Sequence, residues 1–155
     1  MDAYARDVLT RVVDGFVLVE RTTRSGARPG LMAALDLEAY DYSAGSTAPV
    51  RATEGTILSR IPPRVRIRER APLELPHVMV LVDDPGGRLI EPLYQNRASF
   101  EPLYDFELMQ RGGHLRGWRV DAGAHAGMLT ALDALWRASK GLMYAVGDGN
   151  HSLAT

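Results

Sequence analysis

Apolar positions along the chain change period several times, and each period predicts an element. Tyr4, Val8, Leu9, Val12 and Val13 recur at helical spacing, predicting an amphipathic helix from Asp2 to Asp14 that ends at Gly15. Phe16 to Thr23 is a β-branched and aromatic run, and Arg24-Ser25-Gly26 reads as a turn. Leu31 to Leu37 would then be the returning strand of a hairpin. Glu38 to Arg51 is rich in turn formers and reads as irregular. A short helix is expected from Ile57 to Ile61, stopped by Pro62-Pro63. Arg64 to Ala71 suits a strand, because Val65 and Ile67 alternate with arginines, and equally a helix with Pro63 at its start.

Val78 to Val82 is continuously apolar and predicts a strand buried on both faces, followed by a turn at Asp83–Gly87 and a returning strand from Arg88 to Leu93. Arg97 to Leu103 is weakly helical. Tyr104–Met109 and His114–Val120 flank Arg111-Gly112-Gly113 as a second hairpin. Ala124 to Ser139 carries Met128, Leu129, Leu132, Leu135 and Trp136 on one face, a helix ended at Gly141. Leu142 to Val146 reads as a buried strand running into Gly147-Asp148-Gly149-Asn150-His151-Ser152 and the start of a helix. The last helix is too short to hold itself together, so the chain is expected to be a fragment of a longer protein.

With 155 residues, 46% of them hydrophobic and 24% charged, the chain suits one domain spanning 1–155, and its composition excludes disordered and fibrous classes. No apolar run approaches bilayer-spanning length and the start does not read as a signal peptide, so a cytoplasmic protein without a membrane partner is expected. The absence of cysteine excludes disulfides, thiolate metal sites and cysteine nucleophiles. A net charge of -1 argues against a general polyanion-binding field. The basic cluster Arg60, Arg64, Arg66, Arg68 and Arg70 lacks interleaved aromatics, so it reads as a solvated or salt-bridging face and no nucleic-acid partner is expected.

Two segments carry candidate chemistry. In Gly147-Asp148-Gly149-Asn150-His151-Ser152, glycines permit a sharp turn before a helix start, where free N–H groups attract phosphate or another anion. Asp148 can hold Mg2+ or accept a proton, and His151 can donate to an oxyanion. The plainer alternative is a capped turn with a surface histidine. Arg51-Ala52-Thr53-Glu54-Gly55-Thr56 combines a guanidinium, a carboxylate and two hydroxyls, suited to gripping phosphate with Glu54 as base. Its alternative is a helix cap with Glu54 in the first turn. His77, Asp83, Asp84 and His114 have no metal-ligand spacing and default to structural roles.

Gly30–Tyr42, Arg51–Arg64 and Gly147–Thr155, with Glu74-Leu75-Pro76-His77 and the Asp83-Asp84 turn, together resemble a widespread bacterial and archaeal family of longer proteins known only as a domain of unknown function. That family is similar to the ParB/sulfiredoxin superfamily, which includes nucleotide-using partition proteins, sulfinic-acid reductases and free-serine kinases. The resemblance implies a mixed α/β (α+β), ParB/sulfiredoxin-like domain with a mixed sheet and flanking helices and a nucleotide phosphate site at a strand–turn–helix. Asp148, Gly149 and His151 match its motif, while Asn150 stands in place of a histidine and Ser152 in place of an arginine. The expected ligand is a nucleotide (ATP or ADP, with Mg2+) or another phosphorylated small molecule. Around its phosphates would stand Arg51, Thr53, Thr56, Gly147, Gly149, Asn150, His151 and Ser152. Glu54, Asp148 and His151 would be catalytic, with Mg2+ on Asp148. The leading reading is a nucleotide- or phosphometabolite-binding domain working as a small-molecule kinase. The alternatives are a non-catalytic, ligand-gated regulatory or assembly domain and a phosphoester hydrolase.

Overall fold

The computed structural model describes residues 6–8 and 13–155. The helix expected over Asp2–Asp14 therefore falls largely outside the described residues. In chain order the first elements are β1 (Val17–Thr23), β2 (Gly26–Met32), β3 (Tyr40–Asp41), β4 (Val50–Ala52), α1 (Ile61–Arg68) and β5 (Met79–Val82). They are followed by α2 (Ile90–Gln95), β6 (Glu101–Glu107), β7 (His114–Arg119), α3 (Ala122–Ala138), β8 (Tyr144–Asp148) and α4 (Asn150–Ala154). The described residues thus form a mixed α/β structure with two four-stranded sheets and four α-helices. None of these helices is long and apolar enough to cross a membrane.

The chain divides into two compact units, one formed by 13–34 and Asp84–Ala134, the other by Leu35–Asp83 and Leu135–Thr155. In the first, an antiparallel sheet has the order β2-β1-β7-β6. The hairpin expected around Gly112-Gly113 is present as β6 and β7. The ring of Tyr104 lies directly over Gly117, leaving no room for a Cβ there. The first hairpin forms too, but its second strand is Gly26–Met32 instead of Leu31–Leu37, with Arg24-Ser25 as the two-residue turn. The strand contains Pro29 and Gly30. They are tolerated because β2 is an edge, where a missing N–H breaks no ladder bond. Arg88–Leu93, expected to be a strand, instead leads into α2: the Asp84 carboxylate accepts from the Arg88 and Leu89 amides at 2.7 and 2.8 Å and turns the chain into the helix. Arg97–Leu103 contributes only a 3-10 turn at Arg97–Ser99 before β6 begins.

The expected long helix is α3. Met128 and Leu135 are its buried residues, whereas Leu129 and Trp136 stand exposed, so the apolar stripe is narrower than the spacing suggested.

The second unit holds a mixed sheet of order β3-β4-β8-β5, in which β3, β4 and β8 run parallel and β5 antiparallel to β8. Its core centres on Val50 and Val146, which are fully buried, and Met143. The stretch Glu38–Arg51, expected to be irregular, contributes both β3 and the start of β4. The run Met79–Val82 is a strand but not a buried one: it lies at the sheet edge, with Met79, Val80 and Leu81 exposed. Pro62 and Pro63 open α1 instead of closing a helix, because in the first turn an absent N–H costs no intrahelical bond and the fixed φ suits the helix.

Candidate functional site

Within this unit β8 carries its chain to Asp148 and then turns at Gly149 into α4. Gly149 has φ +88°, a left-handed conformation that L side chains rarely adopt. A Cβ there would also stand 2.6 Å from the His77 carbonyl oxygen and 3.0 Å from Val78 Cα. The glycine is therefore demanded by the close approach of the chain's own 77–78 segment. Gly147 packs similarly against Leu81 of β5.

Three hydrogen bonds fasten the turn, two of them to distant segments. The Thr53 hydroxyl donates to the Val146 carbonyl at 2.6 Å, and the buried Asn150 amide donates to the same oxygen at 3.1 Å. The Tyr40 hydroxyl donates to the Asn150 carbonyl at 3.3 Å, and burial pushes that phenol above the ordinary tyrosine range. Thr56 has its hydroxyl buried against Tyr40. Arg68, from the arginine cluster, pairs with Glu74 at 2.7 Å and also donates to the Ser152 carbonyl at 3.0 Å.

His151 is the most constrained of the candidates. Its Nε2 accepts from the Ile57 amide at 3.0 Å, across 94 residues of chain. A backbone N–H can only donate, so Nε2 bears a lone pair and the ring proton sits on Nδ1. That Nδ1 stands 3.9 Å from Glu54 Oε1. The imidazole is largely sheltered while the Glu54 carboxylate is solvent-facing. On the other side of the turn, Asp148 accepts from the Gly149 amide through Oδ1 at 2.9 Å, and its Oδ2 stands 4.0 Å from His77 Nε2. Two carboxylate–imidazole pairs, Glu54–His151 and Asp148–His77, therefore flank one glycine turn.

Of the residues singled out in the sequence, the structure brings together Thr53, Glu54, Gly147, Asp148, Gly149, Asn150, His151 and Ser152. Arg51 does not join them. Its guanidinium donates to the Ala48 carbonyl at 2.6 Å and the Gly141 carbonyl at 2.5 Å, before the start of β8 and away from the turn at its end. Thr56 faces inward, and Asn150 holds the backbone. Sequence reasoning gave His77 a structural role by default and gave Tyr40 none; the only signal for either was position, His77 just before the apolar run and Tyr40 in a turn-rich stretch. With only five residues α4 provides a small dipole, so the polar character of the site comes chiefly from the four titratable side chains. Among the described residues no group of three or more histidines and carboxylates is placed to hold a metal ion by itself. A cavity of about 190 Å3 lined by Leu81–Asp83 and Leu142–Ala145 lies towards the opposite end of β8.

The comparison with known families agrees with the stretches that drew attention in the sequence: a family model matches residues 2–155, nearly the whole chain. The chain belongs to the DUF1015 family. Its members are described as proteins of unknown function. No curated protein and no solved structure matches this DUF1015 chain.

Proposed function

We propose that the end of β8 binds a phosphorylated small molecule, a nucleotide or phosphometabolite, with Glu54 and His151 as its linked acid–base pair. The observation that carries this reading is the convergence of Glu54 and His151 on the glycine turn, with the ring proton of His151 directed to the Glu54 side by the Ile57 amide. A carboxylate beside a tautomer-fixed imidazole is suited to taking a proton from an acceptor hydroxyl. Asp148 keeps one carboxylate oxygen uncommitted to backbone, which suits an Mg2+ that draws its other oxygens from phosphate and water. The resemblance to the ParB/sulfiredoxin superfamily, with its free-serine kinases, favours an ATP- or ADP-dependent small-molecule kinase within this class.

A second reading rests on the same Ile57–His151 bond. While Nε2 accepts from the backbone, His151 cannot take up a proton there without releasing the 57–60 segment. A ligand that recruits His151 would thereby move that segment, which is the behaviour of a ligand-gated regulatory domain.

Isothermal titration with ATP, ADP and inorganic phosphate, each with and without Mg2+, decides between them. For the kinase reading, Glu54→Gln leaves binding within about threefold and abolishes turnover, whereas His151→Ala weakens binding by roughly tenfold. Binding without turnover supports the regulatory reading. Absence of binding by all three probes at millimolar concentration rejects both.

A further inference from the structure

The unit built on the antiparallel sheet contains a cavity of about 500 Å3, within the roughly 300–1,000 Å3 usual for small-molecule sites. Its floor is apolar: Leu89, Leu93, Phe100 and Met128 line it and are themselves buried. Gly123 and Gly127, one turn apart on α3, line it from the helix side, and a Cβ built at either meets no atom within 4 Å. Glycine weakens a helix interior relative to alanine, and no neighbour among the described residues crowds these positions. Packing among the described residues therefore gives no reason for glycine at these two positions.

The polar groups at the rim differ in what they already do. The Asp121 carboxylate accepts from the Gly123 amide at 3.3 Å and caps α3. The Asn96 amide donates to the Pro92 carbonyl at 2.9 Å. Arg88 is different. Its side chain lies across Gly86, with Nε 3.2 Å from where a Cβ would stand, and among the described residues its guanidinium has no partner. An apolar floor with Arg88 in its lining, the guanidinium of that residue having no partner among the described residues, suits an apolar body with one anionic head, since guanidinium binds carboxylate in a planar, bidentate fashion.

We infer that this cavity is a binding site for a small amphipathic monocarboxylate, its chain or ring on Leu89, Leu93, Phe100 and Met128 and its carboxylate on Arg88. The site lies in the other compact unit and is independent of the proposed phosphate site.

Octanoate and 1-octanol, the same chain with and without the charge, are the probes, titrated calorimetrically into the full chain. Octanoate binds at least about tenfold more tightly than octanol, the difference expected of one charge-assisted contact. Arg88→Gln removes that difference and leaves octanol unchanged. Gly127→Leu, and independently Gly123→Leu, fill the space and abolish binding of both probes, while the thermal midpoint of Gly127→Leu holds or rises because leucine favours helix over glycine. Octanoate binding no better than octanol in the unmodified chain overturns the inference. So does octanoate binding that survives both filling substitutions.

Discussion

Gly149→Ala separates what the glycine turn does for the fold from what it does for a ligand. Two costs add. The left-handed conformation at φ +88° costs an L-residue about 1–2 kcal/mol relative to glycine. The new Cβ would also meet the His77 carbonyl oxygen at 2.6 Å and Val78 Cα at 3.0 Å, backbone atoms that must retreat. Forcing atoms into a filled site costs about 1–3 kcal/mol more, so the total is roughly 2–5 kcal/mol. The retreat would also pull on the pairing of Met79 with Asp148, where β5 already shifts register. Gly45→Ala is the matched control, because Gly45 has φ +77° in the same unit and nothing within 4 Å of its Cβ position. It should lose only the conformational part, about 1–2 kcal/mol. Urea unfolding of the two variants reads the difference, and exchange of the Leu153 amide, which donates to the Gly149 carbonyl, localises it to the turn. Equal destabilisation by the two substitutions would refute the packing argument. If the difference appears, loss of ligand binding in a Gly149 variant cannot be read as a lost phosphate contact, and Glu54 and His151 become the informative probes.

Two further outcomes follow from the geometry. His114 hydrogen-bonds Glu107 through Nδ1 at 2.7 Å and Asp105 through Nε2, and these contacts, Glu107 first, hold its pKa above the ordinary histidine range while His114 holds that of Asp105 below the usual carboxylate range. The imidazolium's stabilisation is fully present below the unfolded-state histidine pKa and fades as pH rises through the higher folded value; that of Asp105 is present above its unfolded pKa and fades as pH falls through its depressed folded value. His114→Gln should therefore be less stable than the unmodified chain at mildly acidic pH and converge with it in alkali. An NMR titration midpoint for His114 at or below the ordinary range contradicts this. Arg51→Lys should cost about 1–3 kcal/mol in thermal or urea unfolding, since lysine cannot span the Ala48 and Gly141 carbonyls together, and should leave phosphate titrations unchanged. A variant as stable as the parent that no longer binds phosphate would return Arg51 to the ligand.

What could be read from the chain and what could not divides along the range of the interactions. The β6–β7 hairpin and α3 are local: a glycine turn between two strand-like runs, and an apolar period over four turns, contain their own instructions. By contrast β3 and β4 are two and three residues long and are held by parallel pairing, β3 with β4 and β4 with the far-distant β8, a pairing that leaves no local period. The run Val78–Val82 has the composition of a central strand, yet composition does not record whether a second neighbour arrives, and here none of the described strands does. Pro62-Pro63 carried the opposite ambiguity, since a proline pair closes one helix as readily as it opens the next.

The candidate site inherits this division. Residue types flagged Glu54, Asp148 and His151, but their meeting depends on the parallel register that sets Arg51 beside Ala145 and Ala52 beside Val146. From that register the next residue, Thr53, reaches the Val146 carbonyl, and Glu54 follows at the level of His151. The same register carries the Arg51 guanidinium back to Gly141, away from the turn. One six-residue segment is thus split by its strand pairing into an anchor and a solvent-facing end. The arginine that looked most like a phosphate ligand holds the strand, and the glutamate three residues later is left facing solvent beside His151.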